Sequence, residues 1–269
     1  VLIDGTLSAS SRRLSAAARR FYRDVYGGID KILAIGEMDA DRFRRSVPKH
    51  HAIRVTGDTR FDRVMERAGK SVSPNIGLPQ DATFRIIAGS TWPRDEAHIL
   101  PAFARLLGDK RDLHLVVAPH EPAADRVASI QSWAAAHGFE SASLSGGGVP
   151  GSRVTVVDSV GLLAELYRLC DAAYVGGSFS SGVHSVIEPA IMGIPVIFGP
   201  VHGNSLEALE LVRRGGGEAV SDADGVYGSF ASLIEKRDKR QSMGDAAKSY
   251  VESQIGSTRR CMDEIAEYL

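Results

Sequence analysis

Short apolar runs alternate along the chain with longer segments in which apolar residues recur every three to four positions. The short runs are typical of buried strands, and the longer segments are typical of amphipathic helices. A repeated strand–helix alternation predicts a parallel sheet covered by helices. In the first 60 residues the predicted strands are 1–3, 31–35 and 53–56, and the predicted helices are 11–26 and 39–46.

A second alternation begins near residue 84. Its predicted strands are 84–88, 114–118, 154–157, 172–175, 195–198 and a short one near 219–220. Its predicted helices are 94–107, 123–137, 160–170, 186–192, 205–213 and those from 229 to the end. The stretch 61–82 between the two alternations is less regular and holds two glycines and two prolines, as a linker would. The pattern predicts an α/β chain: one complete Rossmann-like domain preceded by the tail of another.

Composition narrows the class of protein. Of the 269 residues, 43% are hydrophobic and 24% charged, which is typical of a soluble globular protein. The net charge of −1 gives no strong field for nucleic acid or anionic lipid, so no nucleic-acid partner is expected. Cys170 and Cys261 cannot form a four-ligand zinc site, and no other cluster has metal-ligand spacing. We therefore predict no metal and no cofactor.

No apolar run is long enough for a membrane span. The chain has no initiator Met and opens directly in an apolar stretch, Val1-Leu2-Ile3. We therefore expect it to be the back part of a longer protein. The dinucleotide-binding fingerprint G-x-G-x-x-G follows none of the predicted strands, which argues against an NAD or FAD enzyme.

Small or polar residues follow five successive predicted strands of the second alternation. In doubly wound sheets, ligands bind at such carboxyl ends. The first candidate is Gly89-Ser90-Thr91, whose hydroxyls and free N–H groups at a helix start could hold a phosphate. A plain helix cap formed by Ser90 or Thr91 is the alternative, and from the residues alone it is the favoured one.

The stretch from Gly176-Gly177-Ser178 to Gly182 is a more specific candidate, because adjacent glycines let the backbone approach a ligand closely. A flexible turn is the alternative. Glu188, expected in the first turn of the next helix, could accept both hydroxyls of a ribose or could only complement the helix dipole.

His120 and His184 could bind phosphate or serve acid–base chemistry, although a lone histidine is more often a surface or structural residue. Other strand ends carry Asp158, Ser159 and Gly161, and Asn204. No G-x-S-x-G nucleophile elbow is present.

Taken together, the strand-end sequences resemble the nucleotide-binding half of the 3-deoxy-D-manno-octulosonic acid (Kdo) transferases, glycosyltransferases with the GT-B fold. The segments that carry the resemblance are GGSF at 176–179, GVHSVIEP at 182–189, GIPVIFGP at 193–200, AGST at 88–91, VTGDTRFD at 55–62 and NSLE at 204–207. Two segments depart from the family's pattern. HSVIEP stands where the family has HNPLEP, and DGTLS at 4–8 lacks the family's Asn and Arg.

The resemblance implies four regions. Residues 1–66 would be the remnant of an N-terminal acceptor domain, 67–82 a linker and 83–250 a nucleotide-sugar-binding domain. Residues 251–269 would be a helix crossing back to the remnant, as GT-B chains often do.

The implied reaction moves Kdo from CMP-Kdo to a lipid A precursor in lipopolysaccharide synthesis, at the cytoplasmic face of the bacterial inner membrane. The implied donor-site residues are Ser90, Thr91, His120, Asp158, Ser159, Gly161, Gly177, Ser178, Gly182, His184, Glu188 and Asn204. The Asp158–Gly161 loop would flank the cytosine through its backbone, and Glu188 would bind the ribose.

The resemblance implies that the general base is a glutamate in the front of the N-terminal domain, which would also carry the membrane contact, and we expect that part to lie outside this sequence. We therefore expect the chain to bind nucleotide weakly and to transfer little or no sugar. Two other functions stay open. One is a GT-B enzyme that uses a UDP-sugar, as a transferase or an epimerase, and the other is a non-catalytic Rossmann-like module.

Overall fold

The chain folds into two compact units, as a computed structural model of the protein shows. The structure describes residues 1–9, 11–50, 52–70, 78–79, 83–147, 149 and 151–268. One unit comprises residues 1–66 together with 253–269, and the other comprises 67–252. Most of the region predicted as a linker, 71–77 and 80–82, lies outside the described residues.

The first unit is built on a three-stranded parallel sheet with the order β1-β2-β3. Its strands are β1 (Leu2–Gly5), β2 (Ile32–Ala34) and β3 (Ile53–Val55). Its helices are α1 (Ala16–Gly27), α2 (Glu37–Ser46), most of α3 (Arg60–Lys70) and, from the end of the chain, α11 (Ser257–Ile265). The strand β2 is buried along its whole length, and Phe43 of α2 packs in the same core.

The second unit contains a seven-stranded sheet with the order β10-β9-β8-β4-β5-β7-β6, and all its strands are parallel. Its strands are β4 (Phe84–Thr91), β5 (Leu113–Pro119), β6 (Ser141–Ser143), β7 (Val154–Val156), β8 (Ala172–Val175), β9 (Val196–Phe198) and β10 (Gly217–Ala219). Its helices are α4 (Pro93–Asp109), α5 (Ala124–Ala136), α6 (Leu163–Arg168), α7 (Ile187–Ile191), α8 (Leu206–Arg214), α9 (Ala223–Glu235) and α10 (Arg237–Ser253).

The central strand β4 shows why the sheet needs helices on both faces. Ile86 and Ile87 are both fully buried, although successive strand residues point to opposite faces. Ile86 packs with Phe103 of α4 in one hydrophobic cluster, and Ile87 packs with Tyr167 of α6 in another. The predicted α/β class with parallel sheets is therefore confirmed.

Several predicted elements are wrong in detail. The predicted helix 11–26 is divided, because Ser15 is extended and caps α1 through a hydrogen bond from the Ala18 N–H. The stretch from residue 61, expected to be irregular, begins with the helix α3. The edge strand β6, formed by Ser141–Ser143, lies where no strand was predicted. The predicted C-terminal helix is divided at Gly256, whose φ is +97°.

The last residues of the chain pack on the first unit, to which they belong. Asp62 of α3 accepts hydrogen bonds from the N–H groups of Gly256 (2.7 Å) and Thr258 (2.6 Å) at the start of α11. Arg260 donates to the Thr56 carbonyl over 2.8 Å. Among the described residues, every helix is too short or too polar to cross a bilayer.

Candidate functional site

Four neighbouring strands end at the same edge of the large sheet. The carboxyl ends of β9, β8, β4 and β5 lie side by side, because Phe198 pairs with Val175, Val175 with Gly89, and Thr91 with Pro119. The loops after these strands carry most of the predicted site residues. The structure brings together Ser90, Thr91, His120, Gly177, Ser178, Gly182, His184 and Asn204 along this edge.

The turn after β4 differs from the prediction. Gly89, Ser90 and Thr91 continue the strand, and Trp92 is the N-cap residue of α4, so neither Ser90 nor Thr91 caps the helix. The Thr91 hydroxyl is buried and donates to Oε1 of Glu96 over 2.9 Å. Ser90 is partly exposed and has a φ of +53°, which is unusual for a residue with a side chain. This places Ser90, rather than Thr91, where a ligand could reach it.

The glycine-rich loop after β8 folds back on itself. Gly177 has a φ of +87°, and a Cβ at this position would lie 2.3 Å from the Gly182 carbonyl oxygen. The Gly182 N–H donates to the Gly177 carbonyl over 3.0 Å, and the His184 N–H donates to the Gly176 carbonyl over 3.0 Å. No side chain fits between these two backbone segments, so the loop requires glycine at Gly177.

Asp95 holds this loop against the turn after β4, and sequence reasoning missed it. Its carboxylate is fully buried and accepts four hydrogen bonds. The donors are the N–H groups of Trp92 (2.9 Å), Gly177 (2.8 Å) and Phe179 (3.2 Å) and the Tyr174 hydroxyl (3.0 Å). In the sequence Asp95 is indistinguishable from an ordinary acidic residue in the first turn of a helix.

Ser178 and Asn204 hold the loops in place. The Ser178 hydroxyl is fully buried; it accepts from the Gly199 N–H over 2.6 Å and donates to the Val175 carbonyl over 3.2 Å. The Asn204 amide accepts from the Val183 N–H and donates to the Val183 carbonyl, each over 3.1 Å. Both side chains therefore shape the site through contacts with the protein's own backbone.

Three aromatic rings stack beside the glycine-rich loop. The ring centroids of His120 and His184 are 4.4 Å apart, and those of Trp92 and His120 are 4.7 Å apart. The Trp92 indole N–H donates to Nε2 of His184 over 2.8 Å. Burial lowers the pKa of His184, the neighbouring His120 lowers it further, and Asp95 acts in the opposite direction. Trp92 was also missed, because a lone tryptophan after a strand carries no signal in the sequence.

Glu188 lies in the first turn of α7, as predicted, and its side chain is mostly buried. Burial raises the pKa of this carboxyl, and Arg67, whose Nη1 lies 4.0 Å from Oε1, lowers it in part. This ion pair is long, so Glu188 keeps its capacity to accept hydrogen bonds from a ligand.

Asp158, Ser159 and Gly161 form a loop after β7, farther along the same edge. The Asp158 carboxylate accepts hydrogen bonds from the Ser145 N–H (3.1 Å) and the Ser145 hydroxyl. Burial opposes ionisation, yet the Ser145 hydrogen bonds outweigh it and lower the pKa of Asp158. Ser159 and Gly161 are exposed. The Asp158 carboxylate is therefore occupied by hydrogen bonds within the protein, whereas the residues that follow it are exposed to solvent.

A cavity of about 940 Å³ lies elsewhere, in the first unit. It is found at the amino ends of β2 and β3, and its lining includes Arg23, Asp30, Lys49 and His50. It contains none of the predicted site residues. Among the described residues, no group of three or more His, Cys, Asp or Glu side chains could hold a metal ion.

The chain resembles known proteins along its whole length. A family model described as 3-deoxy-D-manno-octulosonic-acid transferase (kdotransferase) matches residues 1–63. The whole chain aligns at 29% identity with 63% of the 3-deoxy-D-manno-octulosonic acid transferase of Bordetella pertussis, and at 25% identity with 62% of that of Chlamydia pneumoniae. The chain thus spans a little over 60% of the length of these relatives.

Solved structures share the fold. The C-terminal CMP-Kdo binding domain of WaaA from Acinetobacter baumannii matches 71% of this chain and 97% of that domain, with a TM-score of 0.58 and 21% identity. A UDP-N-acetylglucosamine 2-epimerase matches 99% of this chain and 64% of its own, with a TM-score of 0.63 and 16% identity. These likenesses confirm the GT-B type of fold for the chain.

Proposed function

We propose that the chain forms the donor half of a glycosyltransferase that moves Kdo from CMP-Kdo to a lipid A precursor. The proposal is supported by the similarity of the whole chain to Kdo transferases. The acceptor would lie at the cytoplasmic face of the bacterial inner membrane. The observation that carries the proposal is the single sheet edge at which the glycine-rich loop, Ser90 and the stacked histidines come together.

The edge offers separate groups for each part of a cytidine monophosphate. The Glu188 carboxylate can accept hydrogen bonds from both ribose hydroxyls, because its only ion pair given by the described residues is long. Ser159 and Gly161 are exposed residues, and their backbone groups can hydrogen-bond the cytosine. Ser90, His184 and the glycine-rich loop are left for the phosphate.

Departure of CMP determines what the site must do chemically. Breaking the bond between the sugar and the phosphate leaves additional negative charge on the phosphate oxygens. Donors that are already oriented toward those oxygens stabilise this charge without reorganising during the reaction. Asp95 and Ser178 fix the loops through buried hydrogen bonds, and Asn204 does so through partly buried ones, so the donors at this edge are oriented before the nucleotide binds.

Calorimetry with CMP and UMP tests the proposal. We expect CMP to bind at least tenfold more tightly than UMP, since a cytosine-selective site must distinguish the two bases. Preference for UMP would favour a UDP-sugar enzyme, which the fold of the epimerase also permits. If neither nucleotide binds at millimolar concentration, the proposal is wrong, and the alternative of a non-catalytic Rossmann-like module is favoured.

We further propose that deprotonation of the acceptor depends on a carboxylate outside these 269 residues. The support is that the chain aligns with only 63% of the Bordetella pertussis transferase. Incubation with CMP-Kdo and a lipid A precursor should therefore give little or no transfer. A rate equal to that of a full-length relative would contradict this.

A further inference from the structure

Within the stack of Trp92, His120 and His184, the direction of one hydrogen bond determines which nitrogen of His184 carries a proton. Indole is only a donor, so the 2.8 Å contact from Trp92 requires Nε2 of His184 to be an unprotonated acceptor. In a neutral imidazole the proton must then reside on Nδ1. Trp92 therefore selects one of the two tautomers of His184.

The packing of His184 against Gly177 shows which way the imidazole ring is oriented. The Cδ2–Nε2 side of the ring faces Gly177, since a Cβ placed there would lie 2.9 Å from Cδ2 and 3.1 Å from Nε2. Nδ1 lies on the other side of the ring, and among the described residues no hydrogen-bond partner is found for it. His184 is partly exposed, so a ligand could reach this N–H.

We propose that Trp92 is a positioning residue of the nucleotide site: by donating to Nε2 it holds His184 in the tautomer whose Nδ1–H donates to a phosphate oxygen of the bound nucleotide. This inference rests on the proposed function of the same edge. It assigns a role to a residue outside the predicted site and states which atom of His184 meets the ligand. Trp92 acts through His184 and itself touches no reacting atom.

The surroundings keep His184 neutral. The groups that face it from other elements are Trp92 and Asp95, from the region where α4 begins, and His120, from the turn after β5. Burial lowers the pKa of His184 and so does His120, while Asp95 opposes them. Protonation of Nε2 would also set two N–H donors against each other. The phosphate contact therefore uses a neutral N–H and needs no positive charge on His184.

The Trp92→Phe variant tests this arrangement, because it keeps a ring in the stack and removes the indole N–H. In the chain labelled with ¹⁵N-histidine, two-bond ¹⁵N–¹H correlations show which ring nitrogen carries the proton, and His184→Gln assigns the signal. We expect the Nδ1–H form in the wild type. In Trp92→Phe we expect a mixture of tautomers and a His184 that titrates at higher pH. Finding the wild-type proton on Nε2 would overturn the inference.

The chain offers a matched control in its other tryptophan. Trp133 also lies beside a histidine, His137, with ring centroids 5.5 Å apart, but its indole makes no hydrogen bond to that ring in the structure. Trp133→Phe should therefore leave the tautomer and the titration of His184 unchanged. An equal effect of both substitutions would mean that the change is a general loss of structure, which contradicts a specific role for Trp92.

Titration with CMP connects the tautomer to the ligand. CMP should shift the Nδ1–H resonance of His184, and Trp92→Phe should weaken CMP binding roughly three- to tenfold, as expected for one neutral hydrogen bond. If CMP binds and the Nδ1–H resonance does not move, the inference is overturned and the proposed function stands. If CMP does not bind to the wild type, the proposed function fails and the inference with it.

Discussion

At the scale of single residues, one buried carboxylate, that of Asp95, connects the loops of the candidate site through hydrogen bonds from the protein's own donors. Asp95 lies at the start of α4, yet three of its four hydrogen bonds reach Tyr174 or the loop after β8. A buried carboxylate is costly unless its oxygens are satisfied, and here four donors satisfy them. Asp95 therefore joins two loops that are about 80 residues apart in the sequence.

Replacing Asp95 by Asn should destabilise the protein. The amide has one acceptor oxygen in place of two, and its NH₂ group would face N–H donors, so buried groups would lose their partners. We expect the free energy of unfolding in urea to fall by about 1–3 kcal/mol. Asp125→Asn is the control, since Asp125 also lies in the first turn of a helix but is exposed. A loss of the same size in both variants would argue against the network.

Glu188→Gln separates binding from folding. If the carboxylate accepts the ribose hydroxyls, CMP binding should weaken by about 1–3 kcal/mol. Burial raises the pKa of Glu188, so the folded state binds its proton more tightly than the unfolded state does. Stability therefore falls as the pH rises above the ordinary glutamate range, and Gln should remove this fall without destabilising the fold at pH 7.

Calorimetry and urea denaturation across pH measure both effects of Glu188→Gln. Glu218→Gln provides the comparison, because Glu218 is a partly buried glutamate on the edge strand β10. It should leave CMP affinity unchanged. If Glu188→Gln binds CMP as tightly as the wild type, Glu188 does not bind the ribose hydroxyls.

At the scale of elements, the glycine-rich loop is closely packed and hydrogen-bonded to itself. Gly177→Ala would add a Cβ 2.3 Å from the Gly182 carbonyl oxygen at a φ of +87°. Since the obstacle is backbone, the loop must open, and both CMP affinity and thermal stability should fall. The loss of stability should exceed about 1 kcal/mol, as strain of this kind costs 1–3 kcal/mol.

Gly203→Ala is the matched control for the loop. Gly203 is exposed, and a Cβ at this position would meet no atom within 4 Å. This variant should be as stable as the wild type and should bind CMP equally well. Differential scanning calorimetry and CMP titration of the two alanine variants decide whether the glycines act through conformation.

The sequence predicts most elements of the sheet because hydrophobic periodicity reports burial directly. The strand β8 was predicted with the bounds that the structure shows, since all four of its residues are buried. The strand β6 consists of Ser-Ala-Ser at the edge of the sheet, where few apolar side chains are needed, so its pattern carries no signal. The end of β4 was misplaced because Gly-Ser-Thr before a helix is typical of a cap.

For the candidate site, the sequence predicts which loops lie together but not which hydrogen bonds they make. Strand ends identify which loops share an edge, and the structure brings most of the predicted residues to that edge. Hydrogen-bond partners cannot be predicted in this manner, because they depend on loops distant in the sequence. Asp95 and Trp92 became visible only through their contacts, and Ser178 and Asn204 proved to bind backbone groups.

At the scale of the whole molecule, the two ends of the chain form one unit. Asp62 joins them by accepting from the N–H groups at the start of α11. A carboxylate at a helix N-terminus is favourable because it satisfies free N–H groups and complements the helix dipole. The contact is local in space but spans nearly 200 residues of sequence, so periodicity could not reveal it.

Asp62→Asn should loosen α11 from the first unit while the large sheet stays folded. Burial opposes ionisation of Asp62, yet hydrogen bonds from Gly256 and Thr258 hold its pKa below the ordinary value. Its contribution to stability is therefore complete above the ordinary aspartate pKa and is lost as the pH falls through the lowered value. Hydrogen exchange at neutral pH should show reduced protection in α11 of the variant but unchanged protection in β4. Asp263→Asn, an exposed change on α11 itself, should leave both unchanged, and equal loss of protection in the two variants would show that Asp62 does not hold the helix.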